Sequence, residues 1–163
     1  MGDPRKFKNK YLSPKRLYDK DRIVEESKLK KKYGLRKNRE IWRIKALLRK
    51  FRHQARDLIA KYDEEKEKRL FDQLRKYGLL GENPSLEDVL RLNVEDLLER
   101  RLQTIVYKKG FARTPLQARQ MIVHGHILVN GTRITSPSYL VTVNDVVEID
   151  PESPYYAKMK EEA

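Results

Sequence analysis

The stretch from Ala118 to Gly131, ARQMIVHGHILVNG, constrains the fold of this chain more than any other part of its sequence. Its first residues have apolar side chains three and four positions apart, which is the spacing of a short helix. The residues from His126 to Val129 then alternate as in a strand, and Asn130-Gly131 is a strong signal for a two-residue hairpin turn. A helix that passes directly into a hairpin predicts a compact α+β unit.

The residues around this stretch extend the same unit. Thr114 is suited to cap the helix, Pro115 to occupy its first position, and Gln117 lies three residues after the cap. A second helix is expected before it, from Asn93 to Gly110. The remaining strands are expected at Thr132–Ile134, Tyr139–Val143 and Val146–Ile149, with a turn at Asn144-Asp145. Together these elements predict a module of two helices and a small antiparallel sheet over residues 95–150.

Residues 21–94 read as a helical region. Apolar residues recur at helical spacing from Arg39 to Tyr62, which predicts a long amphipathic helix with Trp42 and Phe51 on its core side. Shorter helices are expected from Asp21 to Tyr33, ended by Gly34, from Asp63 to Tyr77, and after a Ser85 cap. The fold class is therefore α+β, an N-terminal helical region followed by the small module.

The charge of the chain is unevenly distributed. The 163 residues carry a net charge of +13, while residues 1–61 alone hold 22 Lys and Arg and 7 Asp and Glu, a net charge of +15. Residues 1–20 read as a basic extended arm that becomes ordered only on a partner, and residues 151–163 as a tail. Such an excess of positive charge points to a polyanionic partner, with nucleic acid as the usual one.

The long helix carries much of this excess, because its Lys and Arg greatly outnumber its two acids, Glu40 and Asp57. Like charges on one helix repel each other, so an anionic partner explains the pattern better than a solvated face does. An anionic membrane surface is the rival partner, but the apolar stripe has the spacing of a protein core. The chain also lacks an apolar run of about 20 residues and an N-terminal secretory signal, so no membrane partner is expected.

The segment ERRLQTIVYKKGFARTPLQARQMIVHGHILVNGTRITSPSYLV resembles the RNA-binding module named after the fourth protein of the small ribosomal subunit. The upstream segments YGLRKNREIWRIKALLRKFRHQARDLI and VEDLLERRLQTIVYKKG resemble the archaeal and eukaryotic branch of that ribosomal family. Many copies of the module have Leu-Asp where this chain has Leu102-Gln103, and the Gln matches that branch. The similarity extends over nearly the whole chain.

This resemblance implies a structural protein of the cytoplasmic small ribosomal subunit that binds small-subunit rRNA and nucleates assembly of the subunit body. It also implies contact with the neighbouring fifth protein, a position near the mRNA entry channel, and an influence on translational accuracy. Arg113, Gln117, Arg119 and Gln120 are expected to touch the RNA backbone, and Gly125 to allow a sharp turn against the sheet. The full set of expected RNA-binding residues is Arg39, Arg43, Arg49, Arg52, Arg56, Arg100, Arg101, Lys108, Lys109, Arg113, Thr114, Gln117, Arg119, Gln120, His124, Gly125, His126, Asn130 and Arg133.

No cofactor, metal or catalytic residue is expected. Bacterial members often begin with a cysteine cluster, but this chain has no cysteine, so no N-terminal metal site is carried over. His124 and His126 have no acid or thiol beside them, which favours RNA contact, capping or packing over a metal site. The same module occurs in RNA-modifying enzymes and tyrosyl-tRNA synthetases, but the preceding residues show no catalytic constellation. A free RNA chaperone is the other alternative, although it would lack the long helical region.

Overall fold

The computed structural model describes residues 9–81 and 83–156, and within them the chain forms seven helices and three strands. The helices are α1 (Lys20–Tyr33), α2 (Asn38–Ala60), α3 (Glu64–Lys76), α4 (Leu86–Arg91), α5 (Val94–Glu99), α6 (Leu102–Lys108) and α7 (Pro115–Val123). The strands are β1 (Ile127–Val129), β2 (Thr132–Arg133) and β3 (Val147–Ile149). The predicted α+β class is confirmed, since helices precede a small antiparallel sheet near the C-terminus. We call α6, α7 and the sheet the C-terminal module.

Helix α2 organises the N-terminal half. Its apolar positions are buried as their spacing predicts, and α3, α4 and α5 pack against the same side. Phe51 is almost fully buried, whereas Trp42 is half-buried at the edge of this core. Tyr62, expected at the end of the apolar stripe, lies beyond the helix and is 72% exposed. The helix has already ended there, with Lys61 in an extended conformation, so the periodicity no longer determines where the side chain lies.

Local signals fix the starts of the shorter helices. The Ser85 hydroxyl accepts a hydrogen bond from the Asp88 N–H (3.2 Å), and the Asp88 carboxylate accepts one from the Ser85 N–H (2.9 Å). The predicted Ser85 cap is thus confirmed as a capping box. At α3 the Asp63 carboxylate accepts from the Lys66 N–H, and the acidic first turn complements the helix dipole.

The single helix expected after Asn93 is two helices, α5 and α6, with a break at Arg100 and Arg101. Arg101 has an extended backbone (φ −69°, ψ 141°) and bridges to Leu140. The Arg100 carbonyl accepts from the Val141 N–H (2.9 Å), and the Leu102 N–H donates to the Tyr139 carbonyl (2.8 Å). These backbone hydrogen bonds to a distant segment replace helical ones, so local periodicity could not show the break.

In the C-terminal module, Thr114 caps α7 as predicted, with its hydroxyl accepting from the Gln117 N–H (3.2 Å). Strand β1 lies between β2 and β3, paired antiparallel to both. Asn130 and Gly131 both have positive φ (51° and 74°), the conformation that the hairpin turn requires. The strand expected at Tyr139–Val143 does not form. That segment is an irregular connection that pairs with residues 100–102 instead of joining the sheet.

The expected arm and tail are described only in part. Residues 1–8 and 157–163 lie outside the described residues, and residues 9–19 contain neither helix nor strand. Tyr11 nevertheless contacts Trp42, with ring centroids 6.1 Å apart, and the Arg39 guanidinium lies 5.9 Å from the Tyr11 ring. The end of the arm that leads into α1 therefore lies against α2.

Candidate nucleic-acid interface

The outward side of α2 is basic and largely without protein counter-ions. Arg39, Arg43, Arg49 and Arg56 are exposed, and within the described residues none of the four has an acidic partner. Arg52 differs, because it is half-buried and donates to the Leu92 carbonyl at 2.6 Å. Since the apolar side of α2 is fully occupied by the core, the exposed guanidinium groups remain available to an external anion.

One basic residue of α2 is neutralised from inside the protein. The Glu26 carboxylate on α1 is 1% exposed and accepts from Lys45 (3.1 Å), from the Trp42 indole N–H (3.1 Å) and from Arg22 (2.9 Å). This buried carboxylate attaches α1 to α2. The sequence did not predict the burial of Glu26, because an acidic residue in a basic helix is ordinarily exposed to solvent.

A second carboxylate, Glu40 on α2, joins the helix to the C-terminal module. It accepts from Arg101 (2.7 Å) and from Arg119 (3.0 and 3.2 Å), which lie on different elements of the module. It also accepts from the N–H groups of Arg36 (3.2 Å) and Lys37 (3.3 Å) at the start of its own helix. Glu40 thus binds two arginines of the module while capping α2.

Burial and pairing act in opposite directions on this cluster. Burial alone would raise the pKa of Glu40, but hydrogen bonds from Arg119 and the charges of Arg101 and Arg119 hold it below its ordinary value of 4.5. Burial lowers the pKa of Arg101, and the Glu40 charge only partly offsets this. The nearby charges of Arg119 and Arg43 lower it further. The carboxylate therefore stabilises a concentration of positive charge at the junction.

Gln103 forms the rest of the junction. Its buried side-chain amide N–H2 group lies within hydrogen-bond distance of three carbonyls, those of Tyr33 (3.2 Å), Gly34 (2.9 Å) and Pro115 (2.8 Å). Gly34 has φ +61°, and a β-carbon there would lie 2.7 Å from the Pro115 β-carbon. The turn after α1 therefore packs directly on the start of α7. The Leu102-Gln103 pair, noted as a departure from the common Leu-Asp, was the only sequence signal for this contact.

The basic residues between α5 and α7 are mostly exposed, but several of them form ion pairs or hydrogen bonds within the protein. Lys108 pairs with Glu99 (3.2 Å), Lys109 donates to the Val147 carbonyl (3.1 Å), and Arg100 donates to the Val141 carbonyl (3.0 Å). Arg113 and Thr114 are exposed beside the N-terminus of α7. The Gln117 side chain accepts from the Arg113 N–H (2.9 Å), so it supports the helix start as well as lying near the surface.

Beyond α7, the two histidines line an open cleft together with Gln120, Pro154 and Tyr155. The two imidazole rings are 6.3 Å apart, and His126 contacts the edge of the Tyr155 ring at 5.1 Å. Polar and aromatic groups of this kind suit an unstacked base. Within residues 9–81 and 83–156, no cluster of three or more potential metal ligands occurs.

The remaining residues of the expected set lie around the hairpin. Gly125 turns the chain with φ +79°, and the Arg133 side chain lies over it, 2.9 Å from where a β-carbon would be. Arg133 pairs with Asp150 (2.6 Å), and the Asn130 amide donates to Asp145 (2.9 Å). These contacts order the hairpin, while Arg133 and Asn130 stay exposed.

Two expected RNA contacts do not lie on the surface, since Gly125 is buried beneath the Arg133 side chain and Arg101 is buried at the junction. Arg101 is 1% exposed and its guanidinium is held by Glu40, so it supports the junction instead of facing an external partner. Arg119 is held by the same carboxylate, with its side chain 24% exposed. The exposed members form two groups, one along α2 and one from α6 to the hairpin, which adjoin where Glu40 meets α7.

Comparisons with known proteins match the C-terminal module to a domain family and nearly the whole chain to ribosomal proteins. The S4 domain family model matches residues 100–147, which begin at the break between α5 and α6. Small ribosomal subunit protein uS4 of Ignicoccus hospitalis is 49% identical, with the alignment covering 99% of this chain and all of the relative. The protein of the same name from Hyperthermus butylicus is 50% identical, covering 99% of this chain and 95% of the relative. That from Methanococcus maripaludis is 51% identical, covering 94% and 90%.

The chain belongs to the small ribosomal subunit protein uS4 family. The alignments run through the helical region as well as the S4 domain, so membership does not rest on the domain alone. The uS4 family consists of structural ribosomal proteins, and the chain is accordingly a non-enzymatic protein. Among the residues that the structure describes, no helix is both long and apolar enough to cross a membrane.

Proposed function

We propose that this uS4-family chain is a structural constituent of the cytoplasmic small ribosomal subunit that binds small-subunit rRNA directly. Two groups of exposed or half-buried residues make the contact. One is the basic side of α2, with Arg39, Arg43, Arg49 and Arg56. The other consists of Lys108, Lys109, Arg113, Thr114, Gln117, Gln120, His124, His126, Asn130 and Arg133, with Arg52, Arg100, Arg119 and Gly125 supporting them.

The observation that carries the proposal is the exposed side of α2. A helix whose apolar side is buried in a core and whose other side holds arginines without acidic partners is electrostatically unfavourable by itself. Phosphates placed along the helix remove that repulsion and release counter-ions. The rings and amides around His124 and His126 add groups that contact sugars and unstacked bases, as RNA recognition requires.

The finer parts of the proposal follow from the family resemblance. The chain nucleates assembly of the subunit body at a junction of rRNA helices, contacts the neighbouring fifth protein, and lies near the mRNA entry channel. Through these contacts it influences translational accuracy. The structure supports the first of these roles most directly, because two adjoining basic groups can bind more than one RNA helix at a time.

Reversing two charges on α2 tests the proposal. Arg49→Glu with Arg56→Glu should weaken binding to a small-subunit rRNA junction by about 2–4 kcal/mol, because each change removes a phosphate contact and adds a repulsion. If wild type neutralises about six phosphates, the slope of log K against log salt is near −5, and the double variant should make it shallower by about 2. Filter binding over a salt series measures both quantities.

The matched control is Lys68→Glu with Arg91→Glu, which changes the net charge equally. These residues are exposed on α3 and α4, away from the proposed contact. The control pair should lower the affinity much less. If both double variants lose the same RNA affinity at unchanged melting temperature, affinity follows net charge and α2 is not the RNA-binding side.

A further inference from the structure

The junction between α2 and the C-terminal module brings four polar side chains together, those of Glu40, Arg101, Gln103 and Arg119. Glu40 accepts from Arg101 and Arg119, and Gln103 lies within hydrogen-bond distance of one carbonyl of the module and of two at the end of α1, those of Tyr33 and Gly34. Arg119 also lies 3.5 Å from the Gln103 side-chain oxygen. The two hydrophobic clusters of the protein are separate, one ending at Leu98 and the other beginning at Leu102. A polar network therefore connects two independently packed halves.

We propose that Glu40 is a positioning residue for RNA recognition, which fixes the C-terminal module in one orientation relative to α2. This inference rests on the proposed function, since RNA binding is the activity that the orientation serves. Glu40 holds the two basic groups in the spacing of the RNA helices that they bind. Arg119 acts through Glu40 as part of the same contact.

The charges at the junction make this carboxylate the decisive group. Arg101 and Arg119 share the Oε2 atom of Glu40, Arg119 also reaches Oε1, and the charge of Arg43 acts on Arg101. Without the negative charge, these arginines repel one another across the boundary between the halves. The buried Arg101 would in addition lack its counter-ion, which favours opening of the junction to water.

Fixed orientation affects RNA affinity because two linked sites bind a single RNA cooperatively only when their spacing matches it. If the halves move relative to each other, binding must first restrict that motion, and part of the affinity is lost. Each half by itself keeps its own contacts. The expected signature is a loss of affinity for a junction that engages both basic groups, accompanied by a broader range of distances between the halves.

The test compares Glu40→Gln with Glu65→Gln in the full chain. Both variants raise the net charge by one, and Glu65 is exposed on α3, where it pairs with Arg69 of the same helix. The chain has no cysteine, so cysteines introduced at Gln54 and Thr135, which are both exposed, can be spin-labelled specifically. Distances between the labels and affinity for an rRNA junction are measured where circular dichroism shows every variant to be folded.

The expected result is a narrow distance distribution in wild type and Glu65→Gln, and a distinctly broader one in Glu40→Gln that narrows when RNA is added. Affinity for the junction should fall about tenfold in Glu40→Gln relative to Glu65→Gln. A distribution that stays narrow in Glu40→Gln overturns the proposal. So does tighter RNA binding, which would mean that Glu40 merely neutralises arginines that otherwise contact RNA.

A second variant keeps the test decisive if Glu40→Gln does not fold. Arg119→Gln leaves the buried Glu40–Arg101 pair in place. It should broaden the distance distribution relative to wild type, by less than the full loss of the Glu40 charge would. Where Glu40→Gln folds, the losses of affinity from the two changes should not add in the double variant, because both act on one contact. Additive losses would show that Arg119 binds RNA itself and overturn its assignment to this junction. If wild type fails to prefer the rRNA junction over a duplex of equal length, the proposed function fails, while the distance distributions still decide the role of Glu40.

Discussion

The exposed arginines of α2 and the two arginines held by Glu40, Arg101 and Arg119, have similar sequence surroundings and opposite structural roles. On α2, Arg43, Arg49 and Arg56 face solvent without an acidic partner in the described residues. At the junction with the module, Arg101 is buried against Glu40 and Arg119 is held by the same carboxylate. Both regions looked equally like RNA-binding surfaces when only charge and spacing were considered.

The difference teaches that an arginine is lost to an external polyanion where the fold both buries it and pairs it with an internal carboxylate. Helix α2 contributes two acids in its whole length, and one of them, Glu40, is used by the module. The other, Asp57, faces His53 at the opposite half of the helix. The sharpest tests of this comparison separate changes that affect stability from changes that affect RNA binding.

The largest effect is expected from Arg101→Met. Removing one partner of a buried ion pair leaves Glu40 less compensated, and the free energy of unfolding should fall by about 3 kcal/mol. Urea unfolding measures this, with Arg91→Met as the control, because Arg91 is exposed and its change should stay within about 0.5 kcal/mol. Equal costs for the two variants would mean that the Arg101 pair does not hold the halves together.

Gly34→Ala should follow, at about 2–3 kcal/mol. Alanine at φ +61° is strained, and its β-carbon would lie 2.7 Å from that of Pro115, so the junction has to open. The matched control is Gly110→Ala, which has φ +77° but no atom within 4 Å of the added carbon, and which should cost about 1 kcal/mol. Thermal unfolding of the two variants isolates the packing contribution, and identical midpoints would contradict it.

Acid sensitivity tests the Glu40 contact without changing its neighbours. Because the folded state holds the pKa of Glu40 below 4.5, its ionised form stabilises the protein above that pH, and this contribution is lost as the pH falls through the folded pKa. Glu40→Gln lacks the titrating group. The free energy of unfolding of wild type should therefore fall more steeply than that of the variant below about pH 4.5. Parallel curves from urea titrations over this range would show that Glu40 is not stabilised by its arginines.

The smallest effect on stability is expected from Arg43→Gln. In contrast to Arg101→Met, this change should affect RNA binding and leave the free energy of unfolding nearly unchanged. The Arg43 charge opposes Arg101 across the junction, so the free energy of unfolding should stay within about 0.5 kcal/mol or rise slightly. Affinity for the rRNA junction should fall by about 1 kcal/mol, with a salt slope shallower by about 1. A clear loss of stability with unchanged RNA affinity would place Arg43 with the buried arginines and break the comparison.

Much of the fold was readable from local chemistry. Caps at Ser85 and Thr114, the helix stop at Gly34 and the turn at Asn130-Gly131 depend on residues within four positions of each other, and all four are confirmed. The errors came from contacts over long separations. The helix break at Arg101 and the missing strand at Tyr139–Val143 have one cause, because these two segments pair with each other. The periodicity of either segment by itself does not indicate this pairing.

The sequence by itself determined the α+β class, the concentration of positive charge toward the N-terminus, and the resemblance that the uS4 relatives confirm. The tertiary structure alone decided which charges face solvent, because burial and pairing depend on residues far apart in the chain. Glu40 and Arg101 are 61 positions apart, and Gln103 reaches a carbonyl 70 positions away. Helical spacing can place a side chain on a face, but only packing of the two halves supplies the carboxylate that removes an arginine from the surface.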